Sequence, residues 1–369
     1  PPPFLAPLQA TILFDPPSEH FSMSKINIEF TLFSAFYSPL ISTMTGGFLK
    51  EEGLDFEYTV SAPGVTAITA LDNGTADVVQ STLSQGFNTL NKGGVPACVH
   101  FAQINEMDGF FLTGRDADPA FSWDKLEGAE VLVHHGGQPM TMFKYACYKG
   151  GVDINKIKII DAGNGGEMDK AYRAGTGQYI HQQGPAPQQL EADGVGHVVT
   201  ALGPTIGPCG FSSLAAKPEW LKTDEAKAFT RAYIKTRHYM NDTPAAEIAR
   251  AEKPLFPNID EAVLADCIGT YQKMGVWTRH IDITDAGYEA MLDIFEYDGM
   301  LKTRYAYDQV CAKPPLSNRP IAYPLFWGGS FKPNIRAKRL LLAYAWPCFP
   351  SAINRFINGF VLSSRRTAA

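Results

Sequence analysis

Along residues 25–301 one rhythm repeats: a short apolar run, a loop of small residues, then a helical period. Ile26–Phe33 (INIEFTLF) alternates apolar and polar residues, the period of a half-buried strand. It leads into Ser34-Ala-Phe-Tyr-Ser-Pro39, where Ser38 is the expected N-cap and Pro39 the first helical residue. That helix is expected to reach Glu52 and to stop at Gly53, a C′ glycine. Leu54–Val60 alternates as the next strand, Ser61–Gly64 is a loop and Val65–Asn73 a short helix. Ala76–Gln80 reads as a strand, Ser81–Gln85 opens a helix to Asn91, and Val95–Ile104 reads as a buried strand. This β-α-β repetition predicts a parallel sheet covered by helices on both faces.

A second block follows the same pattern. Phe110–Thr113 and Glu130–Val133 are its first strands, and His134-His-Gly-Gly-Gln-Pro139 opens a helix over Met140–Lys149. Further strands are expected at Lys156–Ile160, Gln178–His181 and His197–Ala201, separated by helices over Gly166–Ala174 and Ala186–Ala192. Past Cys209–Ala215 the pattern turns helical, over Glu219–Met240, Ala245–Ala251, Ile259–Met274 and Asp285–Tyr297. Two α/β lobes are therefore expected, the second inserted into the first. Lobe 1 takes residues 25–107 and 209–301, and lobe 2 takes 108–208. The chain crosses between them near Asn105–Gly109 and Pro208–Phe211. Ligands of such folds sit at the C-terminal ends of strands, in the crevice.

Composition adds boundaries to this picture. The 369 residues are 45% hydrophobic and 19% charged, an ordinary globular balance of roughly two domains. Residues 312–369 hold nine Lys or Arg and no acid, which leaves residues 1–311 at −15 against −6 for the whole chain. An acidic body argues against nucleic acid as the main partner. Residues 1–24, with six prolines in the first 17, are expected to be a disordered lead, and residues 302–369 an atypical basic tail. Lys338–Trp346 in that tail has the makings of a short basic amphipathic piece, although membrane contact is not expected of it.

No apolar run reaches the ~18 residues of a membrane span. The start has no basic n-region and does not read as a signal peptide. A cytoplasmic location is expected for the chain as it stands, and a periplasmic one if the natural N-terminus lies upstream. The six cysteines are far apart with no CxxC pair, which fits buried thiols in a reducing compartment and leaves a disulfide as the alternative.

Candidate chemistry gathers in the loops between strands and helices: Ser34/Ser38, Ser61/Gly64, Ser81/Thr82/Ser84 and Gly136/Gly137. A helix N-terminus there contributes roughly 0.3–1 kcal/mol towards an anion, up to ~2 when partly buried. Plain capping explains each loop alone, and only a shared crevice gives them a binding role. His134 and His135 are the sharpest local feature: one imidazole facing the crevice would donate to an anion or act as acid and base. The alternative packs one against the strand end and leaves the other in solvent. Adjacent histidines do not easily ligate one ion, so no metal is expected. Tyr37 beside Ser38 is the aromatic candidate for the crevice wall, while Phe110 and Phe111 read as packing. Gly163-Asn-Gly-Gly166 is not a dinucleotide fingerprint, no GxSxG, HExxH or P-loop pattern occurs, and no cofactor is required. Cys209, in Gly207-Pro-Cys-Gly-Phe211, is a lone thiol, more in keeping with a buried residue than a nucleophile.

Several segments are similar, in order and spacing, to one superfamily. They are Gly46–Glu57 (GGFLKEEGLDFE), Gly64–Val79 (GVTAITALDNGTADVV), Trp123–Gly128 with Val131–Gly137, Gly150–Ile154 (GGVDI) and Ala215–Trp220 (AAKPEW). Together they resemble the solute-binding proteins for nitrate, sulfonate and taurine, and the related thiamine-pyrimidine synthases. The resemblance implies a two-lobed type 2 periplasmic-binding-protein fold, each lobe a parallel-rich sheet flanked by helices. It implies a small, often anionic ligand clamped between the lobes. Where relatives often carry Glu-Pro this chain has Gln183-Gly184, so a neutral contact from Gln183 is what carries over. The synthases' cysteine-rich motif is missing around Cys209, which argues against their self-consuming, iron-dependent chemistry. The expected function is that of an ABC-transporter-type substrate-binding protein for a sulfonate, phosphonate, nitrate or pyrimidine-like molecule. The alternative is an intracellular enzyme or enzyme subunit on the same fold, with His134, His135 and Cys209 as its candidate groups. The expected partners are a small-molecule ligand and a transporter or an oxidoreductase subunit.

Overall fold

The computed structural model describes residues 23–134 and 136–315. Ten strands occur among them: β1 (Ser24–Phe30), β2 (Leu54–Val60), β3 (Val78–Ser81), β4 (Val99–Asn105), β5 (Phe110–Gly114), β6 (Glu130–Leu132), β7 (Lys158–Ile160), β8 (Tyr179–Gln183), β9 (His197–Ala201) and β10 (Ser212–Ala216). They form two five-stranded sheets, ordered β2-β1-β3-β10-β4 and β7-β6-β8-β5-β9. In the first, β1 runs parallel to β2 and β3, and β10 lies antiparallel between β3 and β4. The second repeats the plan: β6 is parallel to β7 and β8, and β5 is antiparallel to β8 and β9. The chain leaves the first sheet after β4 and returns to it at β10. This is the two-lobed type 2 periplasmic-binding-protein architecture, with helices flanking each sheet.

Burial explains the strands. Ile26, Ile28 and Phe30 alternate inward on β1, whereas every residue of the central strands β3, β5 and β10 is buried. Helix 285–297 packs its Tyr288 and Phe295 rings against Phe87 of helix 83–91, on the first sheet's side. Helix 224–242 is pinned to the same lobe by Arg237. Its fully buried guanidinium donates to the Ile104 and Thr278 carbonyls and to the Thr278 hydroxyl.

Four sequence expectations are corrected. The helix expected to run unbroken to Glu52 is two, Ser38–Thr45 and Phe48–Glu51. The buried Phe48 ring lies where a Cβ on Gly46 would project, and Gly47 takes a left-handed φ of 80°. The apolar run from Val95 becomes strand only at Val99, and Val95 itself is 87% exposed. Ser24, placed in the lead, already pairs with Leu54 in β1. Finally, the start of the expected tail packs on lobe 1. Tyr305 stacks on Phe87, the His100 amide donates to the Val310 carbonyl, and the Ala312 amide donates to the His100 carbonyl. Tyr305, Val310 and Cys311 bring enough apolar surface to hold that segment. The rest of the tail, Lys338–Trp346 included, and the lead up to residue 22 lie outside the described residues.

Candidate functional site

The two crossings between the sheets lie side by side. The Cys209 amide donates to the Glu106 carbonyl at 2.9 Å, and the Phe211 amide donates to the Asn105 carbonyl at 3.1 Å. Around this seam the C-terminal ends of strands from both lobes open into helices. After β3, Thr82 occupies the N-cap of helix 83–91, yet its hydroxyl bonds to Ser84 Oγ (2.7 Å) and caps no amide. Ser81, 2% exposed, has a hydroxyl that meets no partner among the described residues. After β6, Gly136 (φ 58°) and Gly137 (φ 62°) start helix 137–149 with no side chain to cap it. Among the described residues no side chain accepts from the first-turn amides of either helix, which suits them to an anion.

Two contacts bring these helix starts to one place. Gln138, in the first turn of helix 137–149, donates through Nε2 to the Phe211 carbonyl at 2.9 Å. Phe211 immediately precedes β10, whose Ser213 pairs with Ser81 at the end of β3. Both helix starts, one from each lobe, thus meet at the same end of β10. The Gln138 and Gln183 Oε1 atoms, each buried, find no partner among the described residues.

Tyr37 and Gln183 also come together across the lobes. Gln183 Nε2, at the end of β8, donates to the Tyr37 hydroxyl at 3.3 Å. Burial pushes the Tyr37 phenol up to about 12, against the pull of the Gln183 hydrogen bond and the nearby Ser212 hydroxyl, so it stays a neutral donor and acceptor. The next residue, Gly184, is gripped by lobe 1 on both sides of its Cα. Ser34 Oγ donates to the Gly184 carbonyl at 2.6 Å. The Tyr271 hydroxyl accepts from the Gly184 amide at 2.8 Å and donates to the Gly109 carbonyl at 2.8 Å. Gly184 has no room for a side chain, because a Cβ there would lie 2.3 Å from Cys267 Sγ. In the first crossing, Asp108 is fully buried. Burial raises its carboxyl to about 7, the Phe110 amide on Oδ1 (2.7 Å) lowers it, and Oδ2 meets no partner among the described residues.

Other expected site residues lie elsewhere. Ser38 is fully buried, and its hydroxyl is 2.8 Å from the Ala35 carbonyl and 2.7 Å from the Glu252 carboxyl, inside lobe 1. The expected capping of helix 38–45 by Ser38 falls away, since the N-cap is Tyr37. Ser61 donates to Glu29 Oε1 at 2.5 Å beyond β2, and Gly64 is an exposed turn residue with φ 79°. His134 is half-buried past β6, close enough to His181 to influence its charge, and His135 lies outside the described residues. His181 itself is a fully buried ring stacked on Phe110 at 4.3 Å, and burial first, then His134, pulls its imidazole down to about 3. Cys209 is fully buried, and burial with the nearby Asp108 carboxylate pushes its thiol well above the ordinary range, which removes it from nucleophilic work. Among the described residues no cluster of three His, Cys, Asp or Glu could hold a metal ion.

The sequence reading missed Gln138, Tyr271 and Asp108. Gln138 and Asp108 sat inside segments already singled out, the loop at 134–139 and the crossing at 105–109. Tyr271 lies 162 residues from the Gly109 carbonyl that it holds, so no local pattern could have flagged it.

Comparison with known proteins agrees with this architecture. The family model described as NMT1/THI5 like matches residues 36–247. YtlA of Bacillus subtilis (strain 168) is 28% identical over 299 residues, covering 79% of this chain and 89% of its own. The periplasmic aliphatic sulphonate binding protein SsuA from Escherichia coli superposes with a TM-score of 0.60 at 12% identity, covering 85% of this chain and 98% of that one. The ligand binding component of an ABC-type import system from Staphylococcus aureus superposes with a TM-score of 0.62 at 16% identity, covering 79% and 97%. At such identities the two structures speak to the fold, and the family model, which spans more than half of the sequence, to descent: the chain belongs to the NMT1/THI5-like family.

Proposed function

We propose that this chain is the ligand-binding component of an ABC-type transport system, holding a small anionic or heteroaromatic molecule between its lobes. One observation carries the reading. Two helix starts without side-chain caps, 82–83 from lobe 1 and 136–137 from lobe 2, meet at the same end of β10. Their amides favour a compact anion such as a sulfonate, phosphonate or nitrate. Tyr37 supplies a neutral hydroxyl, and the Gln138 and Gln183 Oε1 atoms, without partners among the described residues, accept, which suits the N–H edge of a heterocycle. The names of the relatives, among them an aliphatic sulphonate binding protein and the binding component of an importer, support this class. On this reading the protein works on the outer side of the membrane that carries its transporter.

The test is a thermal-shift screen of alkanesulfonates, phosphonates, nitrate, taurine and pyrimidines, followed by calorimetric titration of the hits. Saturable stabilisation with the compound recovered unchanged by mass spectrometry is the expected result. No stabilisation by any member would defeat the anion class. Consumption of a compound would favour the enzyme alternative, in which an oxidoreductase rather than a transporter would be the partner.

A further inference from the structure

We infer that helix 137–149 is an inter-lobe strap, latched at Asp298, which holds the two lobes together independently of any ligand. Four positions of this lobe 2 helix form a stripe towards lobe 1, Gln138, Thr141, Tyr145 and Tyr148, and Lys144 reaches lobe 1 beside it. The stripe's spacing of three, four and three residues makes it continuous. Gln138 reaches the Phe211 carbonyl at one end. In the middle, Thr141 Oγ1 donates to Asp298 Oδ2 at 2.6 Å, and Lys144 Nζ donates to Asp298 Oδ1 at 2.8 Å. At the far end, Tyr145 meets the edge of Tyr297 at 5.5 Å between centroids, and Tyr148 stacks on it at 4.6 Å.

The placement of Asp298 gives the latch its meaning. It caps the C-terminus of lobe 1's helix 285–297, where the helix dipole repels a carboxylate. Its side chain is only 10% exposed. Within lobe 1 alone that position is unfavourable, and both groups that relieve it, the Lys144 ammonium and the Thr141 hydroxyl, come from lobe 2. Opening the lobes would strip a nearly buried carboxylate of both partners, whereas the tyrosine contact, 54% exposed at Tyr148 and 44% at Tyr297, is cheap to break. The same helix begins at Gly136-Gly137. A molecule bound at that start and the latch one to two turns further on therefore act on one rigid body.

The experiment uses the full chain without added ligand. Spin labels are attached through Asp55→Cys on β2 and Lys158→Cys on β7, both exposed, and the inter-lobe distance is measured by pulsed electron resonance. The unmodified latch should give one narrow distance population. Asp298→Asn should add a second population and raise the open-to-closed ratio about tenfold, the change expected on losing a charged hydrogen bond. The double change Thr141→Val with Lys144→Gln should do the same from the other side, and serves if the first variant fails to fold. Tyr148→Ala should move the ratio less than either. Unchanged distance distributions in these variants, even with a lowered melting temperature, would overturn the inference and leave Asp298 a merely structural residue. A broad distribution in the chain with its latch intact would overturn it equally.

Discussion

Tyr271→Phe removes one oxygen from a fully buried ring and leaves its shape intact, so its effect isolates a hydroxyl that ties lobe 2 to the crossing. In the folded chain that hydroxyl accepts from the Gly184 amide and donates to the Gly109 carbonyl, each at 2.8 Å. Without it the Gly184 N–H has no acceptor in a site from which water is excluded. A buried donor left unsatisfied costs about 1–3 kcal/mol, and a carbonyl with two lone pairs tolerates the loss better. The expected destabilisation is therefore about 2 kcal/mol. At roughly 2–4 °C per kcal/mol for a body of this size, the melting temperature should fall by about 4–8 °C. Differential scanning calorimetry at fixed pH, paired with urea unfolding, measures it. Ser34→Ala is the companion, since Ser34 Oγ holds the carbonyl of the same residue and also accepts from the Phe36 amide. Because both hydroxyls grip one residue, Gly184, the double variant should lose less than the sum of the two. A melting temperature within about 1 °C of the parent for Tyr271→Phe would refute the view that this hydroxyl supports the crossing.

Three further outcomes are expected. Burial lifts the Glu252 carboxyl to about 8, against the pull of the Ser42 and Ser38 hydroxyls, so the folded chain keeps a proton that the unfolded chain releases above about pH 4.5. Its contribution to stability is thus full below about pH 4.5 and falls as pH rises towards 8, and Glu252→Gln should flatten the slope of melting temperature against pH in that window; an unchanged slope counts against the assignment. Gly137→Ala should cost about 1–2 kcal/mol, because its φ of 62° is disfavoured for an L-residue, and should abolish stabilisation by any hit from the ligand screen, as read by urea unfolding and thermal shift. Arg237→Lys should cost about 2 kcal/mol or more by the same unfolding assay, since one ammonium cannot span the Ile104 carbonyl and the two Thr278 oxygens; a cost below about 0.5 kcal/mol would contradict it.

Much of the molecule was legible along the chain. The alternation in Ile26–Phe30 and Leu54–Val60, the small-residue loops and the late turn to helix were enough to predict two α/β lobes and the two crossings between them. These are local signals, because the side-chain period of a strand or helix is set within a few residues. Signals failed where a neighbour in space decided the outcome. Tyr305 with Val310 draws the start of the expected tail onto lobe 1. Ser38 looked like a cap facing the crevice until Glu252, 214 residues away, claimed its hydroxyl.

The site divides in the same way. The sequence alone marks Ser81-Thr82 and Gly136-Gly137 as strand-to-helix turns, a signal that plain capping explains as well as binding does. Which of these loops face each other is a tertiary matter: it depends on Gln138 meeting Phe211, Gln183 meeting Tyr37, and Asp298 accepting two donors from the opposite lobe. Such pairs join residues tens to hundreds of positions apart, and their hydrogen bonds exist only once both sheets are packed and water has left the seam. Periodicity encodes which face of an element is buried; only the packed chain decides which buried polar groups find each other.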